Sequence, residues 1–473
     1  MHRDCAGDHP VGLRADVRRV LVVGAGRSGV AAAILLAGLG REVVLSDRRG
    51  LAELPGIEPA LLAGARLLPG PQSPDQLEGV DLLVKSPGVP AEVPLLTAAH
   101  HVGIPVWSEA ELAYALLPAP FSAVTGTNGK TTTTALLGHM FKTAGHPALV
   151  LGNIGTAITS AARGLGPECE LVVELSSFQL EDVHEFRPAA GVLLNLTPDH
   201  LDRHGTMERY LACKANMFAR QRSDDWAVFN LDDPAVAGLG REVAAREGGP
   251  AVLFFSTLGS PGAAAWFDGV TLHLLGGGIP ADSIPLRGRH NMENCLGAST
   301  VALARGLPSQ AVEEALRTFP GVPHRLQPAG VVDGVAYVND SKATNVEATL
   351  KALDAYPTGT HLILGGRDKA SDYRPVARAC AVGCRSVLLI GEAAPLIRAA
   401  FERVRVEEGM ETVPVPSDEG DLERAVADAV ASATPGDTVL LAPACASFDQ
   451  YSDFEERGAH FMQIVQRLRA DRE

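Results

Sequence analysis

Short apolar runs and stretches with helical periodicity alternate along the chain. The strand-like runs VLVVGAG (from Val20), EVVLSD, DLLVKSPG and PVWS come first, with the helix-like stretch SGVAAAILLAGLG between the first two. Strands that alternate with helices predict a parallel, doubly wound sheet. Pro118 and Pro120 follow, and we place a domain boundary near them.

Two more segments show the same alternation. The strand-like runs FSAVTG, LVVELSS and GVLLNLTPDH belong to the second segment, and VAYVND, HLILGG, SVLLIG and TVLLAP belong to the third. Because 473 residues exceed what one core usually supports, we predict an α/β protein of three domains. Their predicted ranges are 1–110, with a loose leader over 1–17, then 111–321 and 322–473. The Gly-rich section 256–280 predicts a turn-rich β insertion.

Composition narrows the class of protein. Apolar residues make up 46% of the chain and charged residues 21%, as in folded globular proteins. The net charge of −15 argues against a nucleic-acid partner. There is no uninterrupted apolar run of about 18 residues and no apolar N-terminal region. We therefore expect a cytoplasmic protein with no membrane partner. We also expect a monomer, although the patterns above do not bear on the oligomeric state.

Cysteine and lysine usage add two points. The seven cysteines contain no C-x-x-C pair, so neither structural disulfides nor a zinc site are expected. Only seven of the 41 basic residues are lysine. Since Arg is used wherever a positive charge is enough, a retained Lys indicates a role that needs a compact ammonium or the loss of its proton.

The motif GAGRSG follows the first strand-like run and opens a helix, and Asp47 ends the next strand. Glycines at this position would admit a pyrophosphate to the helix N-terminus, and the acid would meet a ribose. One hypothesis is therefore a dinucleotide-binding, NAD-dependent oxidoreductase. A tight turn that needs glycine for packing alone is the alternative.

The motif TGTNGKTTTT, over 125–134, also joins a strand to a helix. It is shorter than the common phosphate loop, because Val124 stands where G-x-x-x-x-G-K-[ST] needs its first Gly. Backbone N–H groups from Gly126 to Lys130 would surround phosphates, Lys130 would neutralise their oxygens and Thr131 would hold Mg²⁺. A Gly-containing turn with a solvated Lys is the alternative.

Two polar residues stand at the ends of later strand-like runs. Glu174 ends LVVE, and His200 follows GVLLNLTPD. Open α/β sheets bind ligands at the carboxyl ends of their strands, so Glu174 could bind Mg²⁺ and His200 a metal or a phosphate. The alternatives are a Glu near the start of the next helix and a structural His.

Lys214 lies within an apolar helical stripe of TMERYLACKANMFAR, together with Tyr210, Leu211, Met217 and Phe218. A lysine on the core-facing side either extends its ammonium back to water or has a special chemistry. Burial would lower the pKa of the amine, and a neutral amine can capture CO₂ as a carbamate that binds metals. Both interpretations stay open from the sequence.

Three clusters lie in the third segment. NDSKATN (339–345) follows a strand and could hold a nucleotide or an anion, and LGGRDK ends another strand with Lys369. PACASFDQ places Ser447 where a helix could begin, which would favour a carboxylate. Each cluster alone is also compatible with a capped helix or a turn. Four of the seven lysines nevertheless lie in the motifs above, which favours anion chemistry: Lys130, Lys214, Lys342 and Lys369.

Taken together, TGTNGKT, LGNIG, ELSSFQLE, NLTPDHLDRH, RGRHNMEN and PHR make the chain similar to the Mur ligase family, from about Val20 to about Phe461. NDSKATN and PACASFDQYSDFEERG resemble the member that adds D-glutamate. The resemblance implies a Rossmann-like N-terminal domain, a central ATPase domain of the phosphate-loop type with a mainly parallel sheet, and a Rossmann-like C-terminal domain.

The resemblance also implies an activity, which is the ATP-dependent addition of D-glutamate to UDP-N-acetylmuramoyl-L-alanine through an acyl phosphate, in peptidoglycan precursor synthesis. The first glycine turn would then bind UDP, which replaces the nicotinamide hypothesis. Other Mur-type ligases and folylpolyglutamate synthases, which share the loop, are the alternatives. Two departures from the family are Gln327 in place of an acid and the Arg in GGRDK, which leaves the placement of Lys369 open.

The resemblance implies a residue set for each ligand. The residues implied for ATP are Gly126, Thr127, Asn128, Gly129, Lys130, Thr131, Thr132, Asn291, Asn294, Arg325, Asp340 and Lys342. Those implied for two Mg²⁺ ions are Thr131 and Glu174 on one side, and His200 and carbamylated Lys214 on the other. The UDP-sugar would contact Ser28, Asp47, Arg48, Ser86 and Asn153, and D-glutamate would contact Thr344, Lys369, Ser447 and Phe454. The implied catalytic residues are Lys130, Glu174, His200 and Lys214.

Overall fold

Three β-sheets organise the part of the chain that the structure, a computed structural model, describes. The described residues are 12–54, 56–153, 155–162, 165–260, 262–369 and 371–472. Two sheets belong to a first unit, Met1–Phe319, and one sheet belongs to a second unit, Pro320–Glu473. The predicted α/β class with three sheet domains is confirmed, and the boundaries at 110/111 and 321/322 stay predictions.

The first sheet has five parallel strands in the order β3-β2-β1-β4-β5. The strands are β1 (Arg19–Val23), β2 (Glu42–Asp47), β3 (Arg66–Pro69), β4 (Leu82–Lys85) and β5 (Val106–Ser108). The helices that accompany them are α1 (Arg27–Gly38), α2 (Glu58–Leu62), α3 (Pro94–His101) and α4 (Glu109–Leu116).

Both faces of this first sheet are covered, as the apolar run of β1 predicts. Side chains alternate along a strand, so Val20 and Val22 pack in one core, with α1, while Leu21 and Val23 pack in another, with α3. Leu13 and Val17 pack against the first of these cores, so that part of the predicted loose leader contacts the sheet. The remainder of the leader, 1–11, lies outside the described residues.

The second sheet has nine strands in the order β14-β13-β12-β11-β10-β9-β6-β8-β7. They are β6 (Phe121–Thr125), β7 (Ala148–Gly152), β8 (Glu170–Glu174), β9 (Ala190–Leu193), β10 (Trp226–Asn230), β11 (Ala251–Ser256), β12 (Ala265–Phe267), β13 (Thr271–Leu274) and β14 (Gly277–Pro280). Its helices are α5 (Lys130–Thr143), α6 (Ser177–Leu180), α7 (Leu201–His204), α8 (Met207–Ala215), α9 (Pro234–Ala244), α10 (Arg289–Ala304) and α11 (Ser309–Thr318).

The second sheet is parallel from β7 to β12 and antiparallel from β12 to β14. The antiparallel strands lie in the Gly-rich section, where a turn-rich β insertion was predicted. Strand β6 is an interior strand, between β9 and β8, and all five of its residues are buried. Its carboxyl end therefore meets the ends of two neighbouring strands, which is where a parallel sheet places its ligand site.

The second unit contains the third sheet, in the order β15-β16-β20-β17-β18-β19. Its strands are β15 (Gln327–Val332), β16 (Val335–Asn339), β17 (Thr360–Gly365), β18 (Cys384–Ile390), β19 (Ser417–Gly420) and β20 (Thr438–Leu441). Its helices are α12 (Val346–Ala355), α13 (Arg374–Cys380), α14 (Ala394–Glu407), α15 (Leu422–Ser432) and α16 (Phe454–Ala470). Only the β15–β16 pair is antiparallel. Among the described residues no helix combines the length and the hydrophobicity needed to cross a membrane.

Candidate active site

The predicted phosphate loop joins β6, an interior strand of the second sheet, to α5. Gly126 has φ +154°, and Gly129, the N-cap of α5, has φ +81°. A residue with a side chain at position 129 would have a strained backbone conformation, and its Cβ would collide with the carboxamide of Asn294. The first N–H groups of a helix have no partner within the helix, so the loop presents a site for an anion.

The segment after β9 holds the loop from the side. Asn195 Oδ1 accepts a hydrogen bond from Asn128 N at 2.8 Å, and Asn195 O accepts one from Thr127 N at 3.0 Å. Thr197 N donates to Thr127 Oγ1 at 3.0 Å. Sequence reasoning missed Asn195 and Thr197, although NLTPDH places both directly after a buried strand, as it does His200.

Two lysine side chains share one carbonyl oxygen of the loop. Lys130 Nζ donates hydrogen bonds to Gly126 O at 3.1 Å and to Thr127 O at 2.8 Å. Lys214 Nζ, from α8, donates to the same Gly126 O at 2.9 Å. Two amino groups this close repel each other when both are protonated, so the structure disfavours a second positive charge here.

Lys214 is buried rather than extended to water. It is 1% exposed, and its Nζ lies 4.5 Å from the centre of the Tyr210 ring. Burial and the charge of Lys130 hold the pKa of the Lys214 amine well below its usual range. The interpretation in which the ammonium reaches back to water is therefore wrong, and the predicted core-facing position of Lys214 is confirmed.

Glu174 and Asn153 contact each other at the ends of neighbouring strands. Glu174 is the last residue of β8, is 3% exposed, and is paired in register with Val124 of β6. Asn153 Nδ2 donates to Glu174 Oε1 at 3.0 Å, and Asn153 N donates to Glu174 O at 2.9 Å. A residue predicted for the metal thus lies against one predicted for the UDP-sugar, beside the strand that leads into the phosphate loop.

A row of neighbouring aromatic and imidazole rings leads from His200 to Lys214. Ring centres are 4.9 Å apart for His200 and Phe178, 5.3 Å for Phe178 and His204, and 5.1 Å for His204 and Tyr210. Tyr210 contacts Lys214 in turn. His200 is the N-cap of α7 with φ +52°, and its side chain is half-exposed, so the imidazole is accessible.

Asp47 organises the glycine turn of the first sheet. Its Oδ2 accepts a hydrogen bond from Ala25 N at 2.8 Å, and Arg49 donates to both carboxylate oxygens at 3.0 Å. Burial raises the pKa of this carboxyl, but the hydrogen bonds from Arg49 and Ala25 outweigh it and lower the pKa to about 2. Ser86 Oγ donates to Gly24 O at 2.8 Å on the other side of the turn.

A cavity of about 480 Å³ opens beside this turn. Arg27 and Arg49 line it beside the first sheet, and Gly155, Thr156, Ala157 and Ser160 line it beside the second. Arg27 Nη1 donates to Gly155 O at 3.2 Å. Sequence reasoning did not single out Arg49, which pairs with Asp47; Arg48, which it named for the UDP-sugar, and Arg49 are both exposed.

Asp340 and Lys342 follow β16 in the second unit. Asp340 Oδ1 accepts a hydrogen bond from Leu326 N at 3.2 Å, and burial raises the pKa of this carboxyl to about 6. Lys342 Nζ lies 5.5 Å from the centre of the Phe454 ring. Lys342, which was predicted to contact ATP, therefore lies close to Phe454, which was predicted to contact D-glutamate.

The predicted helix start at Ser447 is wrong. Ser447 is buried at the start of a turn, and its carbonyl oxygen accepts hydrogen bonds from Gln450 N and Tyr451 N. Helix α16 begins only at Phe454. Asp453 caps that helix, with its carboxylate accepting from Glu456 N at 2.7 Å. An Asp at the N-cap accepts hydrogen bonds from the first helical N–H groups as a Ser would. The N-cap preference alone therefore cannot distinguish Ser447 from Asp453 as the residue before the helix.

Arg457, which sequence reasoning also missed, holds the loops of the second unit together. Its guanidinium is 1% exposed and donates to Ser341 O at 2.9 Å, to Cys445 O at 3.1 Å and to Gly365 O at 3.4 Å. Ser341 and Cys445 lie on the loops that follow β16 and β20, and Gly365 is the last residue of β17. One buried cation therefore links all three clusters that the sequence had singled out.

The remaining predicted residues keep the positions that their motifs imply. Thr131 and Thr132 lie in the first turn of α5, and Asn291 and Asn294 lie in α10, where Asn294 Nδ2 donates to Asn291 Oδ1 at 3.1 Å. Ser28 lies in the first turn of α1, Arg325 before β15, Thr344 before α12 and exposed Lys369 after β17.

The first unit thus combines a doubly wound sheet with a second, mainly parallel sheet in which an interior strand leads into a phosphate loop. These features define an α/β protein of the phosphate-loop class. Three family models match the chain in order: a Mur ligase MurD-like N-terminal domain over 18–108, a Mur ligase middle domain over 124–302 and a Mur ligase glutamate ligase domain over 324–445. The chain belongs to the Mur ligase family.

Two of its relatives carry the name of one particular member of this family. The chain is 45% identical to a UDP-N-acetylmuramoylalanine–D-glutamate ligase of Pelotomaculum thermopropionicum, over 96% of this chain and 98% of the relative. It is 44% identical to a protein of the same name from Solibacter usitatus, over 95% and 98% of the two chains.

Solved structures support the fold. A UDP-N-acetylmuramate-alanine ligase, MurC, from Thermotoga maritima has a TM-score of 0.59 at 18% identity and covers 95% of this chain and 99% of its own. MurF from Acinetobacter baumannii has a TM-score of 0.59 at 14% identity, over 94% and 93%.

Proposed function

We propose that the chain uses ATP to join D-glutamate to UDP-N-acetylmuramoyl-L-alanine, a step of peptidoglycan precursor synthesis. The observation that carries the chemistry is the phosphate loop with two lysines on one carbonyl, because such a loop holds the transferable phosphate of a nucleotide. The names of relatives that share 45% and 44% of the sequence over nearly the whole chain support the choice of D-glutamate.

The phosphate loop is the centre of the ATP site in this proposal. Backbone N–H groups of the loop bind phosphate oxygens, and Lys130 adds a positive charge beside them. The residues proposed for ATP are Gly126, Thr127, Asn128, Gly129, Lys130, Thr131, Thr132, Asn291, Asn294, Arg325, Asp340 and Lys342. The first helical turn, where Thr131 and Thr132 lie, supplies the positive end of the α5 dipole.

The residues around the loop fit two Mg²⁺ ions. Glu174 is a buried carboxylate at the carboxyl edge of the sheet, and a buried carboxylate is costly unless a cation or hydrogen bonds accompany it. Glu174 and Thr131 would hold one ion, and His200 with Lys214 would hold the other. When bound, the ions would neutralise the negative charges of the nucleotide and of the attacking carboxylate.

Lys214 fits this role only as a carbamate, because an ammonium repels a metal ion. A lowered pKa leaves the amine neutral, and a neutral amine combines with CO₂ to form N–CO₂⁻ with loss of one proton. The adjacent Lys130 charge, which disfavours a second cation, favours the anion that the carbamate provides.

The substrate residues belong to two places. Ser28, Asp47, Arg48, Ser86 and Asn153 are the residues proposed for the UDP-sugar, and Arg27 and Arg49 join them because they line the cavity of about 480 Å³. Thr344, Lys369, Ser447 and Phe454 are those proposed for D-glutamate.

The proposed reaction has two steps. An oxygen of the alanyl carboxylate attacks the γ-phosphorus, the bond from that phosphorus to the bridging oxygen breaks, and ADP leaves with the bonding electrons. The neutral amine of D-glutamate then attacks the acyl carbon and expels inorganic phosphate, and the nitrogen loses a proton. Phosphorylation is needed because an unactivated carboxylate has no leaving group. A cytoplasmic location and a monomeric state remain predictions.

The test is an assay with purified protein, ATP, Mg²⁺ and UDP-N-acetylmuramoyl-L-alanine. We expect phosphate release only when D-glutamate is added, and none from Lys130→Met under the same conditions. Release that requires L-lysine or meso-diaminopimelate instead would indicate another Mur-type ligase. Release with folate and L-glutamate would indicate a folylpolyglutamate-type enzyme, and either result would overturn the proposal.

A further inference from the structure

Lys85 is a buried lysine at the end of β4, next to Ser86. Its side chain is 1% exposed, and its Nζ donates a hydrogen bond to Glu181 Oε2 at 2.8 Å and forms an ion pair with Asp182. Glu181 and Asp182 come directly after α6, so the contact joins the first sheet to the second within the first unit. Lys85 is one of seven lysines in a chain that otherwise uses arginine, which indicates a specific role.

Arg203 extends this ion pair. Its Nη2 donates to the same Glu181 Oε2 at 2.9 Å, and its guanidinium also donates to Pro87 O at 2.8 Å and to Val89 O at 3.0 Å. One carboxylate oxygen therefore lies between two cations that come from different parts of the fold. We call Lys85, Glu181 and Arg203 the ionic bridge.

Phe178 connects the ionic bridge to His200. The Cζ of Arg203 lies 3.9 Å from the centre of the Phe178 ring, a cation–π contact, and the ring centres of Phe178 and His200 are 4.9 Å apart. His200 has φ +52°, a conformation that a residue with a side chain retains only where its surroundings enforce it. The bridge and the ring thus lead from Ser86 to His200.

Stability alone does not account for the ionic bridge. Desolvation of buried charges offsets most of their attraction, so well-packed apolar residues stabilise a core as well as a buried ion pair does. Charged hydrogen bonds differ from apolar contacts in that they fix distances and angles. A buried bridge between two sheets is therefore suited to setting the position of one relative to the other.

A metal ion is a weaker explanation for this cluster. Glu181, His204 and Cys213 offer ligand atoms within 4.8 Å of one another. However, Glu181 already contacts two cations, Lys85 at 2.8 Å and Arg203 at 2.9 Å, and a metal ion there would be repelled by both. The contacts among the described residues favour the ionic bridge.

We propose that the ionic bridge is a positioning device that fixes His200 relative to Ser86. This inference rests on the proposed function, in which Ser86 binds the UDP-sugar and His200 lies beside the reacting groups. One substrate molecule then spans both positions, so a change in their separation displaces its carboxylate from the phosphate. Displacements of about 1 Å at a reacting centre can cost roughly 10²-fold in rate.

The first test compares Lys85→Met with Lys85→Arg and with a matched control, Arg305→Met. Arg305 donates to buried Glu170 at 3.2 and 2.9 Å, at the opposite end of β8 from Glu174. Lys85→Met should lower kcat and raise the Mg²⁺ concentration for half-maximal rate, each roughly 10- to 100-fold, with KM for ATP little changed. Lys85→Arg should restore most of the rate, and Arg305→Met should leave both quantities near wild type.

The second test observes His200 without turnover. NMR of histidine labelled with ¹³C in the ring, with the His200 signal assigned by His200→Gln, reports the ring environment directly. Lys85→Met should shift the His200 signal, whereas Arg305→Met should leave it in place. Phe178→Leu, which keeps all three charges, should shift it as well and provides the comparison if Lys85→Met does not fold.

The outcomes separate the two proposals. An unshifted His200 signal in Phe178→Leu and in folded Lys85→Met, or a kcat in Lys85→Met equal to that of Arg305→Met, would overturn the positioning role. Absence of D-glutamate-dependent phosphate release in the wild-type chain would overturn the proposed function instead. The NMR comparison would still decide whether the bridge fixes His200.

Discussion

Lys85 and Lys214 are both buried lysines of the first unit, and each is 1% exposed. Lys85 faces two carboxylates, whereas Lys214 donates to the carbonyl of Gly126, which also accepts from Lys130. The two sites therefore differ in partner rather than in burial. The first site offers compensation for a positive charge, and the second adds a like charge.

The comparison shows that burial alone does not indicate what a lysine does; its partners must be known as well. A buried charge with an opposite partner fixes the distance between the two groups. When one of the two is removed, the other remains buried without compensation, and the folded state is destabilised. A buried amine beside a second amine is pushed toward its neutral form, which is the reactive form. Substitutions at the buried charged groups and in the phosphate loop test this distinction.

Replacing Lys85 by Met should destabilise the first unit by about 3–5 kcal/mol, because two carboxylates lose the cation buried with them. Urea unfolding at neutral pH measures the loss, and tryptophan fluorescence is suitable because Trp107, Trp226 and Trp266 all lie in the first unit. A free energy of unfolding equal to that of the wild type would remove the basis of the comparison.

Replacing Lys214 by Met should give the opposite pattern. We expect kcat to fall about 10²- to 10³-fold, because a group that stabilises the transferred charge is lost. The free energy of unfolding should stay the same or rise, since an apolar side chain of similar size replaces a desolvated amine. Lys142→Met, at the exposed last turn of α5, is the control and should change neither quantity. Full activity in Lys214→Met would contradict the assignment.

Asp340 extends the comparison to a buried acid. Its pKa is raised by burial to about 6 from 3.8, so the folded state holds the proton more tightly than the unfolded state does. Stability is therefore lost as the pH rises from about 4 to 6, and the cost above that range is about 3 kcal/mol. Asp340→Asn should be more stable than wild type by this amount at pH 8 and equal to it near pH 3. Thermal unfolding across this range measures it, and a difference that did not change with pH would exclude the carboxyl as its source.

Gly129→Ala tests the loop that brings Lys130 and Lys214 to one carbonyl. A side chain at φ +81° costs about 1–3 kcal/mol, and its Cβ would also displace the Asn294 carboxamide. Gly145→Ala is the matched control, because φ is +77° at that position and no atom lies within 4 Å of the new Cβ. Both variants should lose stability, but only Gly129→Ala should weaken ATP binding in calorimetry. Equal ATP affinities would show that the loop geometry is not needed.

The sequence predicted the positions of residues whose place follows from local pattern. Asp47 and Glu174 end buried strands, and parallel strands bring their carboxyl ends to one edge, so both positions were predictable and are confirmed. Lys214 was predictable as core-facing because a helix repeats every 3.6 residues. What the stripe could not show was whether its amine reached water.

The partners of these residues depend on tertiary structure and were not predictable. Arg49 rather than Arg48 contacts Asp47, and Asp453 rather than Ser447 caps the helix that follows. Lys85 carried a usable signal, since it is one of few lysines and lies directly before Ser86, yet its acid partners are about a hundred positions away in the sequence. Contacts over that distance follow from the packing of two sheets, which no local pattern encodes.

Lys214, unlike Lys85, should react with CO₂ as a neutral amine and then hold it as a carbamate anion. Incubation with ¹³C-labelled bicarbonate at neutral pH, followed by carbon NMR, measures this directly. The account predicts a protein-bound carbamate resonance in the wild type and in folded Lys85→Met, and its absence in Lys214→Met. A wild-type spectrum without that resonance, or the same resonance in Lys214→Met, would contradict it.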